Sequence, residues 1–400
     1  MLPFALAPQR LAALPTPKLV ALIAFFAQLY VFVPVITPYL LAKGLSLPQI
    51  AAMQTILMVT QLVMEVPTGV LADRFGHRRS YQLALLLAFA GELMTLLADT
   101  FAHFVAAQVV AGTGFAFASG SVDALVYDSL PEHNRTEGMQ RAKGRIGAAM
   151  QLASVVAYGL GGLITIELTL ARMRFALLLD VVFVGMAVLL GLLLREPARH
   201  APSSRPSSRA LLQAGWHALR TNAALRRLVL IALATNAFVP HLLVFYQQYF
   251  LQSGVPPIWL GMGLALGSAV AVVTQLHAWR LPARLGERRG LLLATGLPGV
   301  FYLLMALVDH PALAVVLFVL QWGVVQLGQP LFAGLFNAHI DDDARATSLS
   351  LISGIVTVST GVGGVLLGWL AGQSLSLMLA LLGVVILAGA LLLRPQSTPS

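Results

Sequence analysis

Residues 69–79 read Gly-Val-Leu-Ala-Asp-Arg-Phe-Gly-His-Arg-Arg, a charged, glycine-framed turn between two long apolar runs. The turn returns in altered form at 281–289, 210 positions later, as Leu-Pro-Ala-Arg-Leu-Gly-Glu-Arg-Arg. At the same spacing, 39–45 aligns with 249–255 and Arg135 aligns with Arg345. Three matches at one offset indicate that the chain consists of two duplicated halves.

The composition indicates that both halves lie in a membrane. Hydrophobic residues make up 58% of the chain and charged residues 10%, whereas soluble domains carry about 25% charged residues. Apolar runs near the roughly 20 residues that cross a bilayer recur along the chain, and they must be helical because a helix satisfies its own backbone polar groups in lipid. The predicted spans are 19–42, 47–72, 80–98, 102–129, 142–166, 174–194, 227–252, 256–279, 290–308, 312–338, 347–371 and 374–393.

The distribution of positive charge predicts the orientation of the spans. With both termini on one face, only Lys43, Arg172 and Arg174 of the 25 Lys and Arg residues fall on the opposite face. The positive-inside rule therefore places both termini in the cytoplasm. The net charge of +9 reflects this topology, so no nucleic-acid partner is expected. Residues 1–18 do not resemble a secretory signal, and the first span is expected to be a mature helix.

A segment of different composition joins the two halves. Residues 195–226 connect a first bundle at 1–194 to a second at 227–400, and 196–209 is rich in Pro, Ser and Arg, which favours a flexible linker. Leu212, Trp216 and Leu219 then fall on one helical face. This pattern predicts a short amphipathic helix on the cytoplasmic membrane surface, with a plain tether as the alternative.

The charged turn resembles the loop 2–3 signature of the major facilitator superfamily, approximately Gly-x-Leu-small-Asp-basic-apolar-Gly-Arg-basic. His77 departs from it, standing where a permanent cation is usual, and the matching residues are Gly69, Leu71, Ala72, Asp73, Arg74, Gly76 and Arg78. The segments 65–69 and 119–130 are similar to a bacterial branch of this superfamily. The resemblance implies an all-α protein of the bacterial inner membrane, with 12 transmembrane helices in two pseudo-symmetric six-helix bundles.

The resemblance also implies that the turn is a conformational latch, which closes the cytoplasmic side and comes apart when the protein opens inward. Gly69 is expected to allow a close helix approach and Gly76 to permit a tight turn. Asp128, at the inner end of the fourth span, is the expected acidic partner of the arginines. The predicted latch consists of Gly69, Asp73, Arg74, Gly76, Arg78, Arg79 and Asp128.

Two positions depart from the proton-driven drug antiporters of the superfamily. Those proteins usually carry an arginine ahead of Gly-x-Gly in the fourth span, where this chain has Gln108 before Gly112-Thr-Gly114. Their fifth span usually carries Gly-Pro-x-x-Gly-Gly, where this chain has Tyr158 in place of the proline. Both departures weaken an antiporter assignment without excluding it.

Ionisable residues at membrane depth are costly and indicate functional sites. Besides Asp128 at the inner end of the fourth span, the carboxylates of the predicted spans are Glu65, Glu92, Asp123 and Asp180. Asp123 is the first candidate for proton coupling because Gln108, Gly112, Ser119 and Asp123 would share one face of a continuous fourth helix; a role beside Asp128 is its alternative. Glu65 and Glu92 are further candidates. Asp180 is on a helix that is usually peripheral, where pairing with a cation near the outer surface is expected.

Amides and aromatic side chains recur on helices expected to line the cavity. Such groups suit a neutral or amphiphilic organic ligand, although hydrogen bonds that join helices are the alternative for each of them. The substrate-cavity candidates are Gln28, Tyr39, Gln108, Ser119, Asn236, Gln247, Trp322, Gln326, Gln329 and Asn337.

The expected function is secondary transport of a small organic solute by alternating access, with protons as the coupling ion. Efflux of a hydrophobic or amphiphilic compound is favoured narrowly over uptake of a metabolite. A non-transporting sensor or scaffold on the same fold is the alternative from another class. No nucleotide loop, metal-ligand spacing or nucleophile–base arrangement is present in the sequence, so no cofactor, metal or enzymatic activity is expected. The expected partners are the solute, protons and membrane lipid. The protein is expected to be a monomer.

Overall fold

The chain is all-helical throughout the part that the structure describes. The computed structural model describes residues 14–132, 135–196, 216, 220, 222–235, 239–278, 280–328, 331–332, 335–336 and 345–392. In the first half of the chain the helices are α1 Thr16–Ala27, α2 Ile36–Ala42, α3 Leu47–Phe75, α4 His77–Leu97, α5 Phe101–Ala118, α6 Ser121–Asp128, α7 Arg135–Ile164 and α8 Leu170–Leu192. In the second half they are α9 Ala223–Thr235, α10 Val239–Gln252, α11 Ile258–His277, α12 Arg280–Leu285, α13 Glu287–Leu307, α14 Pro311–Val325, α15 Arg345–Gln373 and α16 Leu375–Leu392.

Eight helical segments of the described residues are long and apolar enough to cross a membrane. The predicted first, tenth and twelfth spans correspond to shorter apolar helices, in the ranges Thr16–Ala27 with Val33–Ala42, Pro311–Val325, and Leu375–Leu391. In the seventh span, α9 and α10 flank residues 236–238, which lie outside the described part of the chain. The predicted class, an all-α membrane protein, is confirmed.

The predicted duplication is visible in where helices begin and how turns are built. After α2, the amide of Leu45 donates to the carbonyl of Leu40 at 3.0 Å, and after α10 the amide of Val255 donates to Phe250 at 2.9 Å. This six-residue ring is a common helix C-terminal cap. Two pairs of helix starts are separated by 210 residues, His77 with Glu287 and Phe101 with Pro311. Two pairs of positive-φ glycines have the same separation, Gly44 with Gly254 and Gly76 with Gly286.

The chain divides into two compact units that interleave along the sequence. The first unit contains 1–33, 56–164 and 169–203, and the second contains 34–55, 165–168 and 204–400. The chain thus leaves the first unit within the predicted first span and re-enters it within α3. The sequence boundaries at 194 and 226 separate the two halves of the repeat, which is a different division, and they stay a prediction.

Each unit has its own apolar core. In the first unit, α4 packs against α5 and α8, and α1 packs against α7 and α8; Val20, Ile23 and Leu125 are fully buried there. In the second unit, α13 packs against α16 and α11 against α14; Leu225, Ile231 and Leu291 are buried between its helices. These cores hold in place the helices that carry the polar residues described below.

Candidate functional site

The first membrane span is interrupted in the middle. α1 ends at Ala27 and α2 begins at Ile36, with a short 3-10 turn at Val33–Val35 between them. Pro34 accounts for the break because proline has no backbone N–H and its ring disfavours helical geometry in the residue before it. A break at membrane depth leaves backbone donors that must find partners inside the protein.

Asp180 of α8 supplies those partners. Its side chain is 1% exposed, and its Oδ1 accepts from the backbone N–H of Val31 at 2.6 Å. The N–H of Phe32 lies 3.2 Å from Oδ2 and 3.4 Å from Oδ1. The carboxylate therefore takes the place of the helical carbonyls that the break removes. The expected pairing of Asp180 with a cation is wrong, since no ion pair joins it to Lys or Arg in the described residues.

Glu92 of α4 is the second carboxyl group at this break. It is half-buried and lies close enough to Asp180 and to Tyr30 for their charges to interact. On the same side of the break, the Nε2 of Gln28 donates to the Oγ of Ser154 at 3.3 Å. We call Glu92 and Asp180 the carboxyl pair. Sequence reasoning missed its relation to the break, although Pro34 inside an apolar span was the signal that could have located it.

Asp123, the first coupling candidate, is in a different environment from the one expected. α5 ends at Ala118 and the chain turns at Gly120, whose φ is +71°, so Asp123 stands on a separate helix, α6. Its carboxylate pairs with the Nζ of Lys143 at 2.8 Å, and both side chains are more than half exposed. The predicted continuous face with Gln108 and Ser119, and the predicted burial, are therefore wrong.

Other residues of the fourth span fit the sequence reasoning better. Gly112 is buried where α5 meets α3, and a Cβ there would lie 2.6 Å from the carbonyl oxygen of Leu57. Gln108 is half-buried and Ser119 is exposed. Glu65, on α3, is exposed as well.

The predicted latch is only partly assembled. Gly76 has φ +100°, a left-handed geometry that favours glycine, and it lets α3 end and α4 begin one residue apart. Gly69 does not mark a close approach, because a Cβ there would have no neighbour within 4 Å. Asp128 forms no ion pair with the arginines of the turn among the described residues.

The charged side chains of the turn differ in exposure. Asp73, Arg74 and Arg79 are exposed and Arg78 is half-buried. The guanidinium of Arg74 stacks on the ring of Phe75, 5.6 Å from its centroid. The Nε of Arg78 is buried and has no hydrogen-bond partner in the described part of the chain. These cations are available for a partner in another conformation.

In the second unit, two cavity candidates are fully buried, and one of them binds backbone groups. Gln247 is fully buried; its Oε1 accepts from the amide of Thr37 at 2.8 Å and its Nε2 donates to Leu243 at 2.9 Å. Tyr39 is also fully buried, with the Nζ of Lys43 5.8 Å from its ring centroid. Gln247 therefore connects residues 34–55 to α10 by a hydrogen bond. The sequence analysis did not predict this structural role.

Two further cavity candidates of this unit are at the C-terminal end of α14. Trp322 is 8% exposed and packs against Gly267, where a Cβ would lie 3.0 Å from its ring. Gln326 is half-buried, and the Nε2 of Gln275 lies 3.5 Å from its Oε1. Asn236, Gln329 and Asn337, and most of the linker with its predicted surface helix, lie outside the described residues.

A duplicated, all-helical chain with apolar spans and carboxyl groups at membrane depth defines a multi-pass membrane protein of the transporter type. The sequence profile of the Major Facilitator Superfamily matches residues 19–324. The chain therefore belongs to the Major Facilitator Superfamily, as the resemblance of its loop 2–3 turn implied.

Known proteins of similar sequence or structure are transporters. YxaM of Bacillus subtilis, described as an uncharacterised transporter of this superfamily, is 20% identical over 360 residues, which are 89% of each chain. The quinolone resistance protein NorA of Staphylococcus aureus is 22% identical over 137 residues, 34% of each chain. A mutant of the nucleoside transporter NupG has a TM-score of 0.80 at 14% identity, with 94% of this chain and 99% of that one covered, a likeness that shows the fold alone.

Proposed function

We propose that the protein is a secondary active transporter that moves a small organic solute across the bacterial inner membrane by alternating access, driven by protons. Membership of the superfamily and the duplicated helical plan support transport. The observation that carries the coupling is the carboxyl pair in the first unit, since ionisable groups buried at membrane depth are expensive to keep without a functional role.

Efflux of a hydrophobic or amphiphilic compound is the favoured direction. The likeness to NorA, a quinolone resistance protein, supports it over about a third of the chain. Among the described residues, the cavity candidates that keep some exposure are Ser119 and the amides Gln28, Gln108 and Gln326. Amides among apolar side chains hold neutral ligands by a few hydrogen bonds. Uptake of a metabolite is the second candidate, favoured by Gln108 and Tyr158 in place of antiporter residues.

Among the three coupling candidates, Glu92 has the environment that best suits a proton carrier. Asp123 is neutralised by Lys143 on an exposed surface, and Glu65 is exposed on α3. Glu92 has the carboxyl group of Asp180 nearby and no cation paired with it in the described residues. Two like charges in a medium of low dielectric repel strongly, and a bound proton relieves that repulsion.

Transport in proteoliposomes tests this assignment. Counterflow of radiolabelled candidate solutes needs no gradient and identifies the substrate, whereas accumulation under an imposed pH gradient measures coupling. Glu92→Gln should lose gradient-driven accumulation while counterflow persists. Glu137→Gln, which removes a carboxylate from an exposed pair with Arg141 on α7, is the matched control and should keep both activities.

The other outcomes of this experiment have definite meanings. Loss of accumulation in Asp123→Asn or Glu65→Gln, with Glu92→Gln unaffected, would transfer coupling to those residues. Accumulation that survives in all three variants would assign the coupling to another group. Counterflow without gradient-driven accumulation in the unmodified protein would make it a uniporter. Absence of counterflow for every solute would favour the non-transporting sensor or scaffold.

We also propose that the charged turn acts as the latch on the cytoplasmic side. The exposed Arg74 and Arg79 and the unsatisfied Nε of Arg78 support a cluster that is completed in another conformation, with Asp73 as the carboxylate beside them in the turn. Asp73→Asn should abolish counterflow while the protein still inserts in the membrane and purifies as folded material. Full counterflow in this variant would remove the latch from the mechanism.

A further inference from the structure

Two backbone amides at the break in the first span donate to the same side chain. α1 stops at Ala27, so the amides of Val31 and Phe32 have no helical acceptor, and both donate to Asp180. Val33 is also the last residue before the chain passes from the first unit to the second. The two amides that bind Asp180 therefore lie just before the point at which the chain passes from the first unit to the second.

Those hydrogen bonds depend on the charge of Asp180. Bonds to an ionised acceptor are shorter and roughly twice as strong as bonds between neutral groups, and the 2.6 Å separation of the Val31 nitrogen from Oδ1 is short for an N–H donor. A proton on Asp180 would take away the charge and occupy one oxygen. The break would then be held less tightly.

One acidic neighbour disfavours a negative charge on Asp180. That neighbour is Glu92 of α4, and the phenols of Tyr30 at the break and Tyr158 on α7, both uncharged, also lie within electrostatic range. Neither a lysine nor an arginine forms an ion pair with either carboxyl group in the part of the chain that the structure describes. The two backbone donors are therefore the groups that stabilise an ionised Asp180, and Glu92 is the group that opposes it.

We propose that Asp180 and Glu92 form a proton-operated switch on the break of the first span. With Asp180 ionised, the amides of Val31 and Phe32 are held and the break is rigid; a proton that binds the carboxyl pair releases them. Binding and release are linked reciprocally, so withdrawal of the two amides must also favour protonation of the pair. Asp180 is in this sense a positioning residue, and Glu92 sets the pH at which the switch operates.

Hydrogen–deuterium exchange detects the loss of these backbone hydrogen bonds and does not require a substrate. The measured quantity is the protection factor of a peptide covering 28–35, corrected for the intrinsic pH dependence of exchange, from mildly alkaline to mildly acidic pH. In the unmodified protein, protection should fall by about tenfold as the pH falls, since a hydrogen bond to a charged group is stronger than one to a neutral group by roughly 1 kcal/mol or more. A peptide from the interior of α8, 181–190, should keep its protection and reports on global opening.

Variants of Asp180 and Glu92 distinguish the roles of the two carboxyl groups. Asp180→Asn keeps the shape and one acceptor oxygen but carries no charge, so protection of 28–35 should be low at every pH. Glu92→Gln removes the neighbouring like charge, so the loss of protection should move to lower pH. Glu137→Gln, on the exposed surface of α7, should match the unmodified protein.

Three results would overturn the inference. Protection of 28–35 that does not change with pH in the unmodified protein would exclude the switch, as would protection that follows sodium concentration at constant pH. An unchanged midpoint in Glu92→Gln would exclude the pairing of the two groups. The link from the switch to transport rests on the proposed function, but these exchange measurements do not, so failure of transport and failure of the switch are distinguishable.

Discussion

Gly112→Ala is the sharpest test of how the fourth span packs in the first unit. A Cβ at this position would lie 2.6 Å from the carbonyl oxygen of Leu57, 3.0 Å from the Cβ of Thr60 and 3.3 Å from the amide nitrogen of Gln61. Two of these neighbours are backbone atoms of α3, which cannot move aside as a flexible side chain can. The added methyl group therefore forces α3 and α5 apart.

The magnitude follows from two opposing effects. Replacing a helical glycine by alanine stabilises a protein by about 0.4–1 kcal/mol when the site has room, whereas forcing a methyl group into a packed interface costs about 1–3 kcal/mol. Gly159→Ala, on α7, is the matched control because its Cβ would have no neighbour within 4 Å. The gain is common to both variants, so Gly112→Ala should be less stable than Gly159→Ala by the steric cost, about 1–3 kcal/mol.

Thermal unfolding in detergent, followed by far-UV circular dichroism at one fixed scan rate, measures the difference. The entropy of unfolding grows with chain length, so for a chain of 400 residues a change of 1 kcal/mol moves Tm by about 1 °C. A fall of about 1–3 °C relative to Gly159→Ala is expected. Equal Tm values for the two alanine variants would show that α3 and α5 are not in close contact at Gly112, and the packing argument would fail.

Two further predictions concern the turns and the topology. Gly286→Ala should lower stability by about 1–2 kcal/mol, because φ is +79° there and a left-handed backbone disfavours a side chain; Gly144→Ala, in open space on α7, should not, and equal Tm values would contradict the strain. Since the chain has no cysteine, Lys43→Cys should react with an impermeant maleimide on intact cells and Arg79→Cys should not. The reverse pattern would invert the proposed orientation.

Features that repeat along the chain could be predicted from the sequence. Composition determines that the spans are helices in a membrane, because lipid leaves the backbone no other way to satisfy its polar groups. The offset of 210 residues predicted that Gly76 and Gly286 would occupy the same turn, and both have positive φ. Such local geometry follows from residue type alone, since glycine tolerates left-handed conformations that other residues avoid.

The environments of the carboxylates could not be predicted in the same way. The helical periodicity that placed Asp123 beside Gln108 assumed an uninterrupted helix. The turn at Gly120 interrupts that helix. Lys143 belongs to α7, 20 positions further along the chain, and no local pattern says that it reaches Asp123. Pairings between distant segments depend on tertiary packing, which a single sequence does not contain.

Asp180 shows how a local rule and a tertiary contact combine into a candidate mechanism. Pro34 favours an irregularity in the first span, and membrane burial demands that the freed amides find acceptors. Neither rule names the acceptor. A neutral acceptor would have bound the freed amides at a lower cost in free energy. A buried carboxylate must be desolvated, and this one has a second carboxyl group near it. A carboxylate, unlike a neutral acceptor, can be switched by a proton. Its use at the break is what connects backbone structure in the first span to the proton chemistry proposed for the protein.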